Sequence, residues 1–266
     1  MIGWQRLRTT VLVLIAAGAA VLAGGSAPLE TETLRFQVCE GDREVGQMRL
    51  EIMTIKDLAI LKEEFTAPYR IKGKAFEAGF DGQVVYRGET KPAISRGEMS
   101  THIGTFKIME GKVSFSQTEG QWSAEVEATG YADTERQPFE NARSWTKTLT
   151  TTGDLLLTHA AFLHFAPRLL KAPGKIENVT YVEFPDDIGW PEALSFMPDC
   201  VLERHAPGAE GKTEITLHRV YAGGNIVPLL KMTLDADGKV VEAGLGKFTL
   251  RPPPPPGEPP AETFGR

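Results

Sequence analysis

The chain has 266 residues, 41% of them hydrophobic and 24% charged, with a formal net charge of −6. That composition allows a sizeable core in one large β-rich domain or two smaller ones. The acidic balance argues against nucleic acid, which wants a basic face, and is too mild for a polyanion mimic.

At the N-terminus, Arg6 and Arg8 precede an apolar run from Val11 to Ala23, and Gly24, Gly25, Ser26 and Ala27 follow. Basic, then apolar, then small residues is the layout of a secretory signal peptide. Residues 1–27 are therefore expected to be a removable export signal, and the mature chain to be periplasmic or secreted. An uncleaved anchor is the alternative, but the run falls short of the roughly 20 apolar residues that a spanning helix needs. Membrane contact is expected only through this segment.

From Leu34 onward, short alternating runs between turn residues indicate an antiparallel meander. Leu34, Phe36 and Val38 share one strand face, Glu40-Gly41-Asp42 turns, and Met48, Leu50 and Ile52 share the next. The segment from Thr54 to Phe65 fits neither period cleanly. Tyr69 to Phe80 reads as a strand, with Asp81-Gly82 as a hairpin turn before Val84-Val85-Tyr86. Glu110-Gly111 reads as another hairpin, and Trp122, Ala124 and Val126 as a strand with one wet face. Tyr131 to Arg143 is polar and reads as a loop.

The stretch from Thr151 to Lys171 differs in kind and reads as one helix, entered at Thr152-Gly153-Asp154 and ended near Pro167, Arg168 and Lys171. At about 100° per residue its leucines, alanines and phenylalanines fall on every side, so it needs cover all round. The expected fold is mainly β with one central apolar helix (α+β), a large curved antiparallel meander or half-barrel around that helix. Strands follow at Val179 to Phe184, Ile215 to Leu217 and Leu230 to Leu234, with a type I′ hairpin at Asp235-Ala236-Asp237-Gly238 and a last strand at Phe248 to Leu250. Residues 28–251 are expected to form one domain. The proline-rich tail, 252–266, is expected to be extended and disordered.

Motifs that carry chemistry are sparse. Ser144-Trp145-Thr146-Lys147 spells the S-x-x-K box of exported acyltransferases, but it sits in a β-leaning stretch with no companion K-T-G. Glu183, Asp186, Asp187 and Glu192 make an acidic loop, 183–192, able to supply oxygens to a hard cation or a general acid and base. A solvated turn is its plainer reading, and no cofactor is implied. His159 and His164 are five residues apart, about 140° around the helix, and cannot chelate one ion as an i, i+4 pair would. His102, His205 and His218 show no ligand spacing. Cys39 and Cys200 allow a disulfide in an oxidising compartment, or pack as two buried thiols.

Several short segments carry a resemblance: Gly41 to Met48, Val84 to Glu89, Ala166 to Leu170, Val182 to Asp187 and Phe248 to Pro252. In these the chain is similar to a loose group of exported bacterial β-rich proteins of unknown function. In outline it resembles envelope proteins in which a half-barrel sheet cradles a helix, some of which carry lipids or lipoproteins. A helix without a wet face could plug a groove on the concave side of the sheet and be displaced. The leading expectation is therefore a non-enzymatic binding module for an apolar small molecule or an envelope protein partner, with Phe162, Leu163 and Phe165 as candidate lining. Two alternatives stand beside it: an interaction protein whose core is simply filled, and a hydrolase or transferase using the acidic loop.

Overall fold

The computed structural model describes residues 28–71, 74–88, 93–103, 106–131, 142–183, 195–208 and 210–254. Residues 1–27 (expected to be an export signal), most of the acidic loop with Asp186 and Asp187, and the tail beyond Pro254 lie outside the described residues.

Among the described residues, alternation of apolar and polar side chains produces fifteen strands in one sheet. The first eight are β1 (Glu30–Glu40), β2 (Arg43–Ile55), β3 (Leu58–Ile71), β4 (Lys74–Arg87), β5 (Ala93–Ile103), β6 (Phe106–Thr118), β7 (Gln121–Tyr131) and β8 (Ala142–Thr151). After them come the short β9 (Leu155–Leu157) and the helix α1 (His159–Leu169). The remainder are β10 (Gly174–Glu183), β11 (Ser195–Arg204), β12 (Thr213–Val220), β13 (Ile226–Leu234), β14 (Val240–Leu245) and β15 (Phe248–Arg251). Sequence neighbours pair antiparallel through β8 and from β10 onward, β1 joins the halves by pairing with β15, and only β9 with β10 is parallel. Among the described residues the fold is thus mostly β with a single helix on an open, curved sheet, as the patterning predicts.

The sheet's two edges, β8 and β9, are separated in sequence only by residues 152–154. Four Cα steps reach at most about 15 Å, whereas fifteen strands laid flat at about 4.8 Å spacing would span nearly 70 Å. The sheet therefore rolls up: β8 comes alongside β11, and β9 alongside β5. No ladder joins the edges. They meet instead through side chains and one close backbone approach. Thr151 Oγ1 lies 2.9 Å from Thr180 Oγ1, and the Asp154 N–H donates to the Asn178 carbonyl at 2.8 Å. A Cβ at Gly153 would fall 1.9 Å from Thr180 Oγ1, so only glycine permits this seam.

Inside the roll the inward rows of both halves face α1: Phe36, Val38, Met48, Leu50, Leu61 and Tyr86 from one, Cys200, Leu202, Ile215, Leu217 and Met232 from the other. Every residue from Ala160 to Ala166 is buried. Outside, Met53, Ile60 and Val85 pair across strands as a small second cluster.

Several expectations need correction. The helix starts at His159, capped by Thr158, because Leu155–Leu157 is extended and hydrogen-bonds to Val179–Tyr181. Pro167 sits within the last turn and does not end the helix. Asp81-Gly82 lies in the middle of β4, paired with Glu64 and Glu63, and Glu110-Gly111 lies in β6. The turns are elsewhere: Lys56 and Glu119-Gly120 take positive φ, which releases two unbroken strands of 13 residues or more on either side of Lys56-Asp57. Tyr69 to Phe80 straddles the β3–β4 connection. The Asp235–Gly238 turn is not type I′, since only Gly238 has positive φ. It is a type I turn with a left-handed glycine, in which Asp235 Oδ1 accepts from the Asp237 and Lys239 amides. For Cys39 and Cys200 the sequence leaves two alternatives open, a disulfide or two buried thiols; here both are free and buried. Four strands separate β1 from β11 in the sheet, so each thiol packs as a small apolar group in its own row.

Phe162 and Leu163 are fully enclosed by the roll. Truncating either to alanine should cost about 2–5 kcal/mol, measured by urea unfolding. Loss of less than about 1 kcal/mol in both would mean that the sheet is not held open by the helix.

Candidate functional site

The helix N-terminus is the most polar point inside the roll. Thr158 Oγ1 accepts from the Ala161 amide at 3.2 Å, which caps the first turn. The same hydroxyl lies 3.2 Å from the Tyr86 hydroxyl, which also accepts from the Thr158 amide at 3.2 Å. Burial pushes the Tyr86 phenol far above its ordinary value, so it stays a neutral hydroxyl. One residue on, His159 Nε2 bonds the Glu63 carboxylate from β3, a group only 5% exposed. Beside them is a cavity of about 10 Å³, lined by Leu61, Glu63, Val84, Glu98, Thr158 and Ala160. It is no larger than one water.

None of the candidate lining residues borders that cavity. Phe162, Leu163 and Phe165 are packed core: Phe165 meets the Tyr86 ring edge-on at 5.1 Å. His164, 5% exposed, stacks edge-on with Phe165 at 4.6 Å. Burial, aided by the Arg168 charge, brings the His164 imidazole down to about 4. The helix exit is satisfied by Arg168, which donates to the His164 carbonyl and to Glu32, and by Arg204, which donates to the Leu170 carbonyl at 2.6 Å.

Of the acidic loop, Glu183 ends β10 and is half-buried. Ser144 and Lys147 lie on extended β8, paired with Thr129 and Val126. A strand cannot set that lysine one helical turn beyond the serine, as acyl-transfer chemistry of this type requires.

Two surface features have no counterpart in the motif reading. On the outer face, Glu203 and His205 alternate along β11 and its extension, and Glu214, Thr216 and His218 alternate along β12. Register places Glu203 opposite Thr216 and brings one ligand atom each of Glu203, His205 and His218 within 4.8 Å of one another. Burial lowers the His218 pKa. Burial also works to raise Glu214, but the Lys231 ammonium and the Thr216 hydroxyl, both hydrogen-bonded to it, bring it below its ordinary value. The histidines are 13 residues apart and become neighbours only through the β11–β12 register. The alternation Glu-x-His and Glu-x-Thr-x-His on consecutive strands was the available signal. The second feature is the β12–β13 tip. Ile226, Val227 and Pro228 are consecutive strand residues and all are exposed, so both faces of this hairpin stand clear of the roll. Tyr221 is exposed beside them, with the Arg219 guanidinium 4.6 Å above its ring.

No family model matches the chain, and no curated protein matches it. Among solved structures it is similar to a beta-barrel-like protein of domain of unknown function DUF1849 from Brucella abortus. That likeness has 10% identity and a TM-score of 0.47, and covers 85% of this chain and 94% of that one.

Two outcomes follow from the polar interior. His159→Leu alone leaves the Glu63 carboxylate buried without its imidazole and should cost about 3–5 kcal/mol. The double variant Glu63→Leu/His159→Leu should recover much of this, and a urea-based mutant cycle reads the difference. For His164 the folded-state pKa lies below the unfolded value of 6.5, so unfolding takes up a proton. Its contribution is complete above about pH 6.5 and is lost as pH falls toward 4, by about 3 kcal/mol in all. The stability–pH curve of His164→Gln should be flatter than wild type across that window.

Proposed function

We propose that this is an exported, non-enzymatic interaction protein with a filled core, which binds an envelope protein through its outer surface. The observation that carries this is the packing around α1: a cavity of about 10 Å³ beside a helix whose residues 160–166 are all buried has no room for an apolar ligand. The lining candidates Phe162, Leu163 and Phe165 are then structural. Apolar contact area is on offer at the β12–β13 tip instead, where Ile226 is 59% and Val227 43% exposed. Aliphatic side chains at a projecting turn, flanked by Tyr221, suit a protein surface that covers them on binding. The basic, apolar and small-residue order of residues 1–27 supports export to the periplasm or beyond.

Mature protein recovered from the producing cell should begin between about residues 24 and 29. Recovery of intact Met1 in the membrane fraction would overturn export. A photo-crosslinking residue at Val227 should give one discrete adduct in the envelope, and Ile226→Ser/Tyr221→Ser should remove it without moving the melting midpoint.

A further inference from the structure

We propose that Glu203, His205 and His218 bind one divalent transition-metal ion, with zinc the best match, on the outer face of β11 and β12. Two imidazoles and one carboxylate are the donor set of a three-ligand zinc site with an open fourth position. The same donors do not suit calcium or magnesium, which take oxygen ligands.

The geometry is close to assembled. Tetrahedral zinc with ligands at about 2.1 Å needs donor atoms roughly 3.4 Å apart. His218 Nε2 stands 3.5 Å from Glu203 Oε2, which is that spacing already. His205 must close from within 4.8 Å, and it follows the end of β11 with its side chain 40% exposed. Its backbone is pinned, because the His205 amide donates to the Glu214 carbonyl at 2.9 Å.

A second observation points the same way. His218 is 17% exposed, yet neither of its ring nitrogens has a hydrogen-bond partner, and both atoms are shielded from solvent. A shielded ring nitrogen without a hydrogen bond costs free energy, and a metal bond to Nε2 would remove that cost for one of the two. The outer groups are in place as well. Lys175 holds Glu203 by Oε1 at 3.2 Å, leaving Oε2 for the ion. Glu214 Oε1, 3.9 Å from His205 Nε2, is available as a fourth ligand or as acceptor for a bound water.

The test uses the full chain, stripped with a chelator and titrated with zinc chloride against a chromogenic competitor. One zinc per chain is expected. Glu203→Gln and His218→Gln should each weaken binding by more than about tenfold, while Glu242→Gln, an exposed carboxylate elsewhere on the sheet, should leave it unchanged. Cobalt should give the intense visible bands of a tetrahedral site in wild type and lose them in His218→Gln. Metal-free melting points of the variants should match wild type, and Glu203→Gln carries the test if His218→Gln does not fold. The proposal is overturned if wild type binds no zinc, or if Glu203→Gln and His218→Gln bind it as tightly as wild type does.

Discussion

Residues 152–154 tie one edge of a fifteen-stranded sheet to the other, and the rest of the structure depends on that tether. A chain so short cannot bridge a flat sheet, so the sheet must roll, and rolling creates an interior that a sheet alone cannot fill. The segment that follows the tether supplies the filling. Leu155–Leu157 adds a parallel edge strand and α1 then runs through the middle. Gly153 permits the close seam, and Thr158 ends the strand and caps the helix with one hydroxyl. Seam, last strand and core helix thus lie in one continuous run of sequence.

A helix enclosed on all sides must satisfy its own ends. The N-terminal end does so with Thr158 and Tyr86, and carries the buried Glu63–His159 pair beside it. The C-terminal end uses Arg168 and Arg204 to meet the last carbonyls. A pair as buried as Glu63 and His159 adds little net stability over apolar replacements of the same shape, but it penalises any arrangement that separates the partners. It therefore specifies how α1 sits against β3. With the interior filled and both helix ends met, the outer face carries the Glu/His row and the projecting β12–β13 tip, which share strand β12.

Local chemistry determined much of this protein. Alternating apolar residues such as Phe36/Val38, Met48/Leu50/Ile52 and Ile215/Leu217 made a β meander readable, because side-chain direction repeats every two residues whatever the tertiary context. An apolar helix without a wet face implied complete cover for the same reason. What sequence could not decide was where extended chain stops. Asp81-Gly82 and Glu110-Gly111 look like turns, yet pairing on both sides carries the strand through them. Leu155–Leu157 looks helical, yet Val179–Tyr181 offers it a strand edge. The alternation of Glu and His on β11 and β12 hinted at a row, but the approach of His205 to His218 was decided only by the register of the two strands. Residue periodicity is set by bonds within a segment, so it can be read one segment at a time. Strand ends, seams and side-chain clusters are set by hydrogen bonds to partners distant in sequence, and only the rolled sheet brings those partners together.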